Sequence, residues 1–274
     1  MISHRNVIAN VIQYVTHEKK PRRENNVTTQ VSLGLLPMSH IYALVVVTHG
    51  STYRGDEVVV LPRFDLHTFL GSIQRFKIQH MCLVPPVVIA LLRNQDIARR
   101  FDLSSVRFVY TGAAPLGAET VTDLLAIYPT WHVGQGYGMT ETSTVVCSTS
   151  ESDICVGTSG SLVPGAKAKI IGFDGKEVTE YETPGELLIQ SPSVVLGYLN
   201  NERANAETFV WHDDGRWIRT GDEALVRKTP GGNEHLVIVD RIKELIKVKV
   251  SSQHEFLLYP RCSLDMKLCG QAFR

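Results

Sequence analysis

The sequence has no excess of charge of either sign. Lysine and arginine together count 28, aspartate and glutamate together also count 28, and the formal net charge at pH 7 is zero. A chain without net positive charge has no overall field to attract a polyanion or an acidic membrane surface. The composition therefore argues against nucleic acid as a partner.

Cysteine is scarce and forms no recognisable pattern. Five cysteines, an odd number, include no CxxC pair: Cys82, Cys147, Cys155, Cys262 and Cys269. A disulfide framework or a structural zinc site needs paired cysteines at regular spacing. We therefore expect reduced thiols and an intracellular protein without a zinc centre.

Long hydrophobic runs are also missing. The longest, IYALVVVT from Ile41 to Thr48, is far shorter than the ~20 residues of a membrane-spanning helix and predicts a buried core segment. The N-terminal residues MISHRNVIANVIQYV show helical spacing through Val7, Val11 and Tyr14, without the features of a signal peptide. No GxGxxG motif opens a first strand and helix, which argues against a dinucleotide-dependent dehydrogenase.

Short apolar runs alternate with helical patterns in the first half of the chain. The spacing of apolar residues predicts a helix over 66–76, followed by a strand over Met81 to Val84 that stops at a Pro-Pro pair. A second strand is predicted over Arg107 to Tyr110, and a helix from Gly117 to about Tyr128. This alternation predicts an α/β architecture.

After Glu151 the pattern changes to short β-rich runs. Ala168 to Ile171, Gly185 to Gln190 and Leu236 to Val239 predict antiparallel strands of a smaller β subdomain. The only charge run, His17 to Asn26, predicts a solvated loop rather than a binding patch.

The segment QGYGMTET, Gln135 to Thr142, combines residue types that suit a nucleotide. Its glycines let the backbone approach a ligand, its aromatic ring offers a face to a base, its hydroxyl can donate to a phosphate oxygen and its carboxylate can hold a metal ion. These residues are Gly136, Gly138, Tyr137, Thr140 and Glu141. Taken one residue at a time, a tight turn with a helix cap at Thr140 is the preferred interpretation.

Two further polar positions lie near the C-terminal end of the β-rich region. Thr220 to Asp222 (TGD) predicts a polar turn after Trp217, whose carboxylate could accept both hydroxyls of a ribose. Arg241 lies just after the predicted strand LVIV and places a permanent positive charge at the end of that strand. Each alone would be interpreted as an ordinary surface residue.

Five segments, taken together and in this order, resemble the core motifs of adenylate-forming (AMP-binding) enzymes. They are YTGAAPL (Tyr110 to Leu116), QGYGMTET, GELLIQSPSVVLGYLNNE (Gly185 to Glu202), WIRTGD (Trp217 to Asp222) and VDRIKELIK (Val239 to Lys247). The similarity extends from Met1 to about Lys249. It is greatest to the 4-coumarate-CoA ligase and luciferase-like branch, which includes fungal acyl-CoA ligases of secondary metabolism.

The resemblance implies a domain organisation. Residues 1–150 would form a partial α/β AMP-binding core, with a parallel sheet covered by helices, and residues 151–239 a β-rich subdomain of the same large N-terminal domain. Residues 240–250 would be the hinge and the start of a C-terminal domain that is essentially missing, and residues 251–274 an aberrant tail.

The resemblance also implies an AMP-forming acyl-CoA ligase. A carboxylic acid would react with ATP to give acyl-AMP and pyrophosphate, and the thiol of coenzyme A would then displace AMP. ATP, coenzyme A and the acid are thus the expected partners, with Mg²⁺ as the metal ion. In such a reaction the protein mainly positions the reactants and neutralises charge.

The nucleotide-binding residues can be carried over position by position. Gly112, Ala113 and Ala114 would line the adenine and acyl pocket, with Gly136 and Gly138 beside them. The resemblance also gives roles to side chains that bind the base, the ribose, the α-phosphate and magnesium: Tyr137 for adenine, Asp222 and Arg241 for ribose, Thr140 for phosphate and Glu141 for the metal.

The acyl side and the second step involve three further residues. His40 corresponds to the histidine beside the substrate carboxylate, and Tyr42, with Gly112, would shape the acyl pocket. Lys247 corresponds to a lysine of the thioester-forming stage, with a helix-surface lysine as the alternative.

The chain departs from the family pattern near both ends. The phosphate loop of the family, rich in glycine and hydroxyl residues, precedes the segment that corresponds to MISHRN, where this chain begins. Val250 stands where the family has a glycine, and residues 251–274 match no family segment, so the catalytic lysine of the C-terminal domain has no counterpart. Because Val250 and Ser251 can be encoded GTAAGT, a typical intron donor, we hypothesise that the tail is retained intron.

These departures leave two kinds of function open. Loss of both phosphate-binding elements predicts an impaired ligase, since each such element contributes roughly 10²-fold to 10³-fold to the rate. The alternative is a non-catalytic relic or pseudoenzyme that keeps an AMP-binding half-site. An amino-acid-activating domain of a peptide synthetase is disfavoured because no carrier domain follows.

The family also suggests a compartment. Many fungal relatives carry a C-terminal tripeptide that directs them to peroxisomes. This chain ends Ala272, Phe273, Arg274, without that address. We therefore expect a peroxisomal full-length relative, and a cytoplasmic location if the address is truly absent.

Overall fold

The fold begins with a mixed sheet in which the first five strands are parallel. The computed structural model describes residues 1–242. The sheet contains β1 (Val31–Gly34), β2 (Glu57–Val60), β3 (His80–Leu83), β4 (Phe108–Thr111), β5 (His132–Met139), β6 (Thr144–Ser148) and β7 (Ser161–Leu162). Their spatial order is β2-β1-β3-β4-β5-β6-β7, with β6 and β7 antiparallel to their neighbours. The parallel part confirms the predicted α/β class.

Eight α-helices precede, separate or follow these strands within residues 1–242. They are α1 (His4–His17), α2 (Lys19–Glu24), α3 (Ser51–Arg54), α4 (Leu66–Phe76), α5 (Pro85–Arg93), α6 (Gln95–Ala98), α7 (Ala118–Ile127) and α8 (Glu202–Thr208). The bounds of α4 match the predicted helix, and α7 differs from its prediction by one residue at each end. The Asp65 carboxylate fixes the start of α4 by accepting a hydrogen bond from the Thr68 backbone N–H at 2.8 Å.

The apolar run from Ile41 to Thr48 is mostly buried, as predicted, but it is neither an ordinary α-helix nor a strand. Ala43–Gly50 forms a π-helix, which packs on α1 and on the sheet. π-helical turns are rare and often lie at functional sites. This one places His40, Ile41 and Tyr42 just before its first residue.

The second half of the described chain forms a five-stranded antiparallel sheet. Its strands are β8 (Lys167–Ile171), β9 (Gly185–Gln190), β10 (Phe209–His212), β11 (Gly215–Lys228) and β12 (Glu234–Arg241). The order is β10-β11-β9-β8, with β12 paired to β11. The predicted antiparallel strands are confirmed, while the predicted domain limits at residues 150, 239 and 250 stay predictions.

The charge run His17 to Asn26 is not a solvated loop, so that prediction is wrong. It contains the end of α1 and the whole of α2, and two of its charged side chains are buried. Arg22 makes a bidentate ion pair with Asp56 at 2.7 and 2.9 Å, and Glu18 pairs with Arg54 at 2.7 Å. These charges are buried because each has a partner of opposite sign, which sequence composition alone does not reveal.

None of the helices within residues 1–242 is long and apolar enough to cross a membrane.

Candidate active site

A pocket of about 260 Å³ lies at the carboxyl ends of β4 and β5. In open α/β sheets this end of the parallel strands is the usual position of a ligand. Its walls come from the segment before the π-helix, the turn after β4, the second half of β5 with the turn that follows it, the start of β6, and the end of β12. Elements of both sheets therefore contribute to one cavity.

The strand β5 includes most of the segment QGYGMTET. The first half of β5 pairs in parallel with β4, and from Gly136 onward the strand pairs antiparallel with β6. Thr140–Thr142 then forms one 3₁₀ turn, in which the Thr142 hydroxyl accepts a hydrogen bond from the Met139 N–H at 3.1 Å. The predicted turn with a cap at Thr140 is thus wrong: the segment is a strand that ends in a turn closed by Thr142.

The two glycines of β5 are required by packing inside the protein. A Cβ atom on Gly136 would lie 1.9 Å from the hydroxyl oxygen of Tyr110, and one on Gly138 would lie 1.4 Å from the carbonyl oxygen of Thr144. Neither position has room for a side chain. The structure supplies this reason in addition to the predicted close approach of a ligand, which stays a prediction.

A hydrogen-bonded group joins Tyr137 to the second sheet. The Tyr137 hydroxyl donates to Asp222 Oδ2 at 2.5 Å, and Arg241 Nε donates to Asp222 Oδ1 at 3.0 Å. Burial, and then the Asp222 carboxylate, raises the pKa of Tyr137 well above its usual range, so the phenol stays a donor. Asp222 is only 3% exposed and lies directly behind the two pocket residues that it holds.

The TGD segment is part of a strand, so the predicted turn is wrong here too. Thr220 to Asp222 lies inside β11, where the pairing with β9 shifts between Arg219 and Glu223. Gly221 has a φ of +71°, a conformation that glycine adopts without strain. The irregular pairing of the strand at this point accompanies the inward position of the Asp222 side chain.

Two buried tyrosines form the opposite wall. The Tyr42 hydroxyl donates to the carbonyl oxygen of Tyr110 at 3.0 Å, and the Tyr110 hydroxyl donates to Ser148 Oγ at 2.9 Å. Their rings meet edge to face with centroids 6.2 Å apart. A Cβ on Gly112 would lie 3.3 Å from the Tyr42 ring, so this glycine allows close packing. His40 is exposed at the pocket rim, and its Nδ1 accepts from the Tyr42 N–H at 3.2 Å.

Ala113 has an unusual backbone conformation for a residue with a side chain. Its φ is +68°, in the left-handed region that costs a non-glycine residue about 1 kcal/mol or more. Such strain is often found at functional sites, and Ala113 lines the pocket. Ala114, its neighbour, does not line it.

Glu141 brings a carboxylate to the pocket wall. Its Oε1 accepts a hydrogen bond from the Tyr198 hydroxyl at 2.8 Å, and its carbonyl oxygen accepts from the Val195 N–H at 2.9 Å. Within residues 1–242 its other oxygen, Oε2, accepts no hydrogen bond. Mg²⁺ is commonly held by one or two carboxylates together with substrate phosphates and water. A single carboxylate with one available oxygen fits that manner of binding, and no cluster of three metal-binding side chains occurs in the described part of the chain.

The structure brings most of the predicted site residues together. Those that line the pocket are His40, Tyr42, Gly112, Ala113, Gly136, Tyr137, Gly138, Thr140, Glu141 and Arg241. Asp222 lies behind them, and Lys247 is outside the described residues. Sequence reasoning did not select Tyr110, Met139 or Tyr198, although all three lie in motifs that carry the resemblance. It also missed Ile41, Thr144 and Val145, which give no signal of their own.

Fold and site define an α/β protein whose polar pocket lies at the ends of its parallel strands. The sequence profile of the family described as AMP-binding enzyme matches residues 1–199. The chain therefore belongs to the AMP-binding enzyme family.

Curated relatives at substantial identity are fungal acyl-CoA ligases. The acyl-CoA ligase lcsD of Purpureocillium lilacinum is 45% identical over 249 residues, which cover 91% of this chain and 63% of the relative. The acyl-CoA ligase AKT1 of Alternaria alternata is 44% identical over 250 residues, which cover 91% of this chain and 42% of the relative. The chain thus spans about half the length of these relatives.

Solved structures share the fold. A long-chain-fatty-acid-CoA ligase from Archaeoglobus fulgidus matches with a TM-score of 0.76 at 24% identity, covering 88% of this chain and 48% of that chain. MatB from Rhodopseudomonas palustris matches with a TM-score of 0.73 at 27% identity, covering 90% of this chain and 46% of that chain. The O-succinylbenzoate coenzyme A synthetase of Bacillus subtilis, solved with ATP and magnesium, matches with a TM-score of 0.71 at 24% identity. The match covers 90% of this chain and 47% of that chain.

Proposed function

We propose that the chain is the nucleotide-binding part of an AMP-forming acyl-CoA ligase of fungal secondary metabolism. A carboxylate would attack the α-phosphorus of ATP and expel pyrophosphate, and the thiol sulfur of coenzyme A would then attack the acyl carbon and expel AMP. The observation that carries the proposal is one cavity whose walls hold both His40 with Tyr42 and Tyr137 with Glu141. The names of the fungal relatives support the same reaction.

The nucleotide would lie between the part of the pocket wall that comes from the first sheet and the part that comes from the second sheet. In this proposal the Tyr137 ring stacks on adenine and the ribose hydroxyls donate to Asp222, replacing the hydrogen bond that Tyr137 now makes. Arg241, on the other side of that carboxylate, donates to the ribose oxygens. Thr140, an exposed residue in the turn directly after β5, donates from its hydroxyl to the α-phosphate.

Glu141 would hold a magnesium ion through the oxygen that Tyr198 leaves available. Bound magnesium supplies positive charge beside the phosphates and so makes the α-phosphorus easier to attack. The protein's own contribution is to fix the carboxylate at the pocket wall, where the backbone hydrogen bond from Val195 already holds the turn.

The acid would enter from the side of the two tyrosines. His40 at the rim would lie beside its carboxylate, and Tyr42 with Gly112 would set the width of the acyl pocket. Both reactants would then be held close together in one small cavity, which lowers the entropic part of the barrier to the transfer.

Pyrophosphate release tests the proposal. The purified chain would be incubated with ATP, Mg²⁺ and a panel of aryl, medium-chain and polyketide-derived acids. We expect acid-dependent release that Glu141→Gln abolishes and that Glu180→Gln, at an exposed carboxylate outside the pocket, leaves unchanged. No release with any acid, together with AMP binding, would favour the non-catalytic alternative; no binding of AMP would refute both.

A further inference from the structure

One hydroxyl group outside the pocket wall contacts the candidate metal ligand directly. Tyr198 lies in the loop between β9 and α8, and its hydroxyl donates to Glu141 Oε1 at 2.8 Å. A phenol hydroxyl carries one proton that it can donate, and a carboxylate oxygen can only accept, so the direction of this hydrogen bond is fixed.

Tyr198 is itself held firmly. Its backbone N–H donates to Asn205 Oδ1 at 2.6 Å, and Asn205 Nδ2 donates back to the Tyr198 carbonyl oxygen at 2.9 Å. Its ring packs against Phe209 with centroids 5.7 Å apart. The position of the hydroxyl is thus set by α8 and β10.

The same loop holds Glu141 from a second direction. The Val195 N–H donates to the Glu141 carbonyl oxygen at 2.9 Å, and the Ser143 hydroxyl donates to the Ser193 carbonyl oxygen at 2.8 Å. Both the main chain and the side chain of Glu141 are therefore fixed by the segment 193–198. A glutamate side chain otherwise has several rotatable bonds, and most of its rotamers would not face the pocket.

We propose that Tyr198 is a positioning residue for the metal site: it holds one oxygen of Glu141 so that the other faces the bound nucleotide and its divalent cation. The inference rests on the proposed function, because it takes Glu141 as the metal ligand. Groups that orient a metal ligand in this way commonly affect metal affinity by 10-fold or more.

The test separates metal binding from folding and from nucleotide binding. Tyr198→Phe removes the hydroxyl alone and keeps the ring against Phe209 and both hydrogen bonds to Asn205. Calorimetric titration would measure AMP binding without metal, and Mg²⁺ binding to the chain with ATP. We expect AMP binding to change less than about twofold and the Mg²⁺ affinity to fall roughly tenfold.

Two comparisons make the experiment specific. Tyr181→Phe removes a similar hydrogen bond, from the Tyr181 hydroxyl to Glu234 Oε1 at 2.6 Å, at an exposed place outside the pocket, and should leave both affinities unchanged. In a Glu141→Ala background, Tyr198→Phe should have no further effect on Mg²⁺ affinity, because the hydroxyl acts only through that carboxylate.

Four outcomes would overturn the inference. Wild-type Mg²⁺ affinity in Tyr198→Phe would show that the hydroxyl does not matter. An equal loss of metal-free AMP binding, or a large fall in melting temperature, would assign Tyr198 a purely structural role. Metal-independent ATP binding by the wild-type chain would instead remove Glu141 as metal ligand, and with it the metal part of the proposed function.

Discussion

Asp222→Asn is the most direct test of the proposed ribose site. The substitution removes a negative charge but keeps the shape of the side chain and an oxygen that can still accept the hydrogen bond from Tyr137. Hydrogen bonds to a charged group contribute about 1.5–3 kcal/mol. If the ribose hydroxyls bind this carboxylate, the affinity for AMP should therefore fall roughly 10-fold to 100-fold.

The same substitution should lower stability by about 1–2 kcal/mol, because the neutral amide accepts a weaker hydrogen bond from the buried Tyr137 hydroxyl. The Arg241 side chain is 57% exposed, so its ion pair with Asp222 is screened by solvent and adds only about 0–1 kcal/mol. The chain should therefore stay folded, and a loss of affinity measured on the folded variant reports a ligand contact rather than a damaged fold. Urea denaturation would measure the free energy of unfolding.

The decisive assay compares AMP with its 2′,3′-dideoxy analogue, which lacks the two hydroxyls. The wild-type chain should prefer AMP, and Asp222→Asn should lose that preference. Asp213→Asn, at an exposed carboxylate outside the pocket, should keep it. If Asp222→Asn weakens both ligands equally, or keeps the wild-type ratio of affinities, the ribose assignment is refuted.

Two further predictions follow from burial and packing. Burial lowers the pKa of His80 to about 4, from about 6.5 in the unfolded chain. Between pH 7 and pH 5 the unfolded state therefore gains a proton at His80 that the folded state does not gain. The free energy of unfolding should fall by about 2 kcal/mol over that range. His80→Phe, whose ring can stack on Phe108 as His80 does, should remove this component in urea denaturation at the two pH values; an unchanged pH dependence would contradict the assignment to His80. Gly136→Ala should cost about 1–3 kcal/mol of stability and reduce AMP binding, because the new Cβ atom would overlap the Tyr110 hydroxyl. Gly117→Ala should have neither effect, because the atom nearest to its new Cβ would be 3.9 Å away. Thermal melting of both variants would decide, and equal melting temperatures would contradict the packing argument.

The elements that sequence reasoning predicted well are those specified by local signals. The helix α4 has apolar residues at helical spacing, a capping aspartate before it and Lys77 in the left-handed conformation after it. α5, which the sequence analysis does not predict, also has a local signal: it begins at Pro85, and proline favours the first turn of a helix. Each of these signals lies within a few residues of the structure it determines.

The elements that were predicted wrongly depend on distant partners. Glycine and aspartate in TGD indicate a turn locally, yet the residues on either side pair with β9 and Asp222 pairs with β12, so the segment lies inside a strand. Arg22 appears in a hydrophilic run, yet Asp56, far along the chain, allows it to be buried. Propensity and composition describe a residue's neighbours in sequence, and tertiary contacts override them.

In the candidate site, too, local sequence signals identify residues but do not reveal the contacts between distant ones. Family resemblance selected most of the pocket residues, but not the contacts between them, because Tyr137 and Asp222 are 85 positions apart and Tyr198 and Glu141 are 57 apart. The pocket needs both sheets: the tyrosine that would stack on the base comes from β5, and the carboxylate that would hold the ribose comes from β11. A change that moves Asp222 away from the first sheet would therefore weaken nucleotide binding without touching the first sheet's own core. For that reason the ratio of AMP to dideoxy-AMP affinity is more informative about this site than the melting temperature.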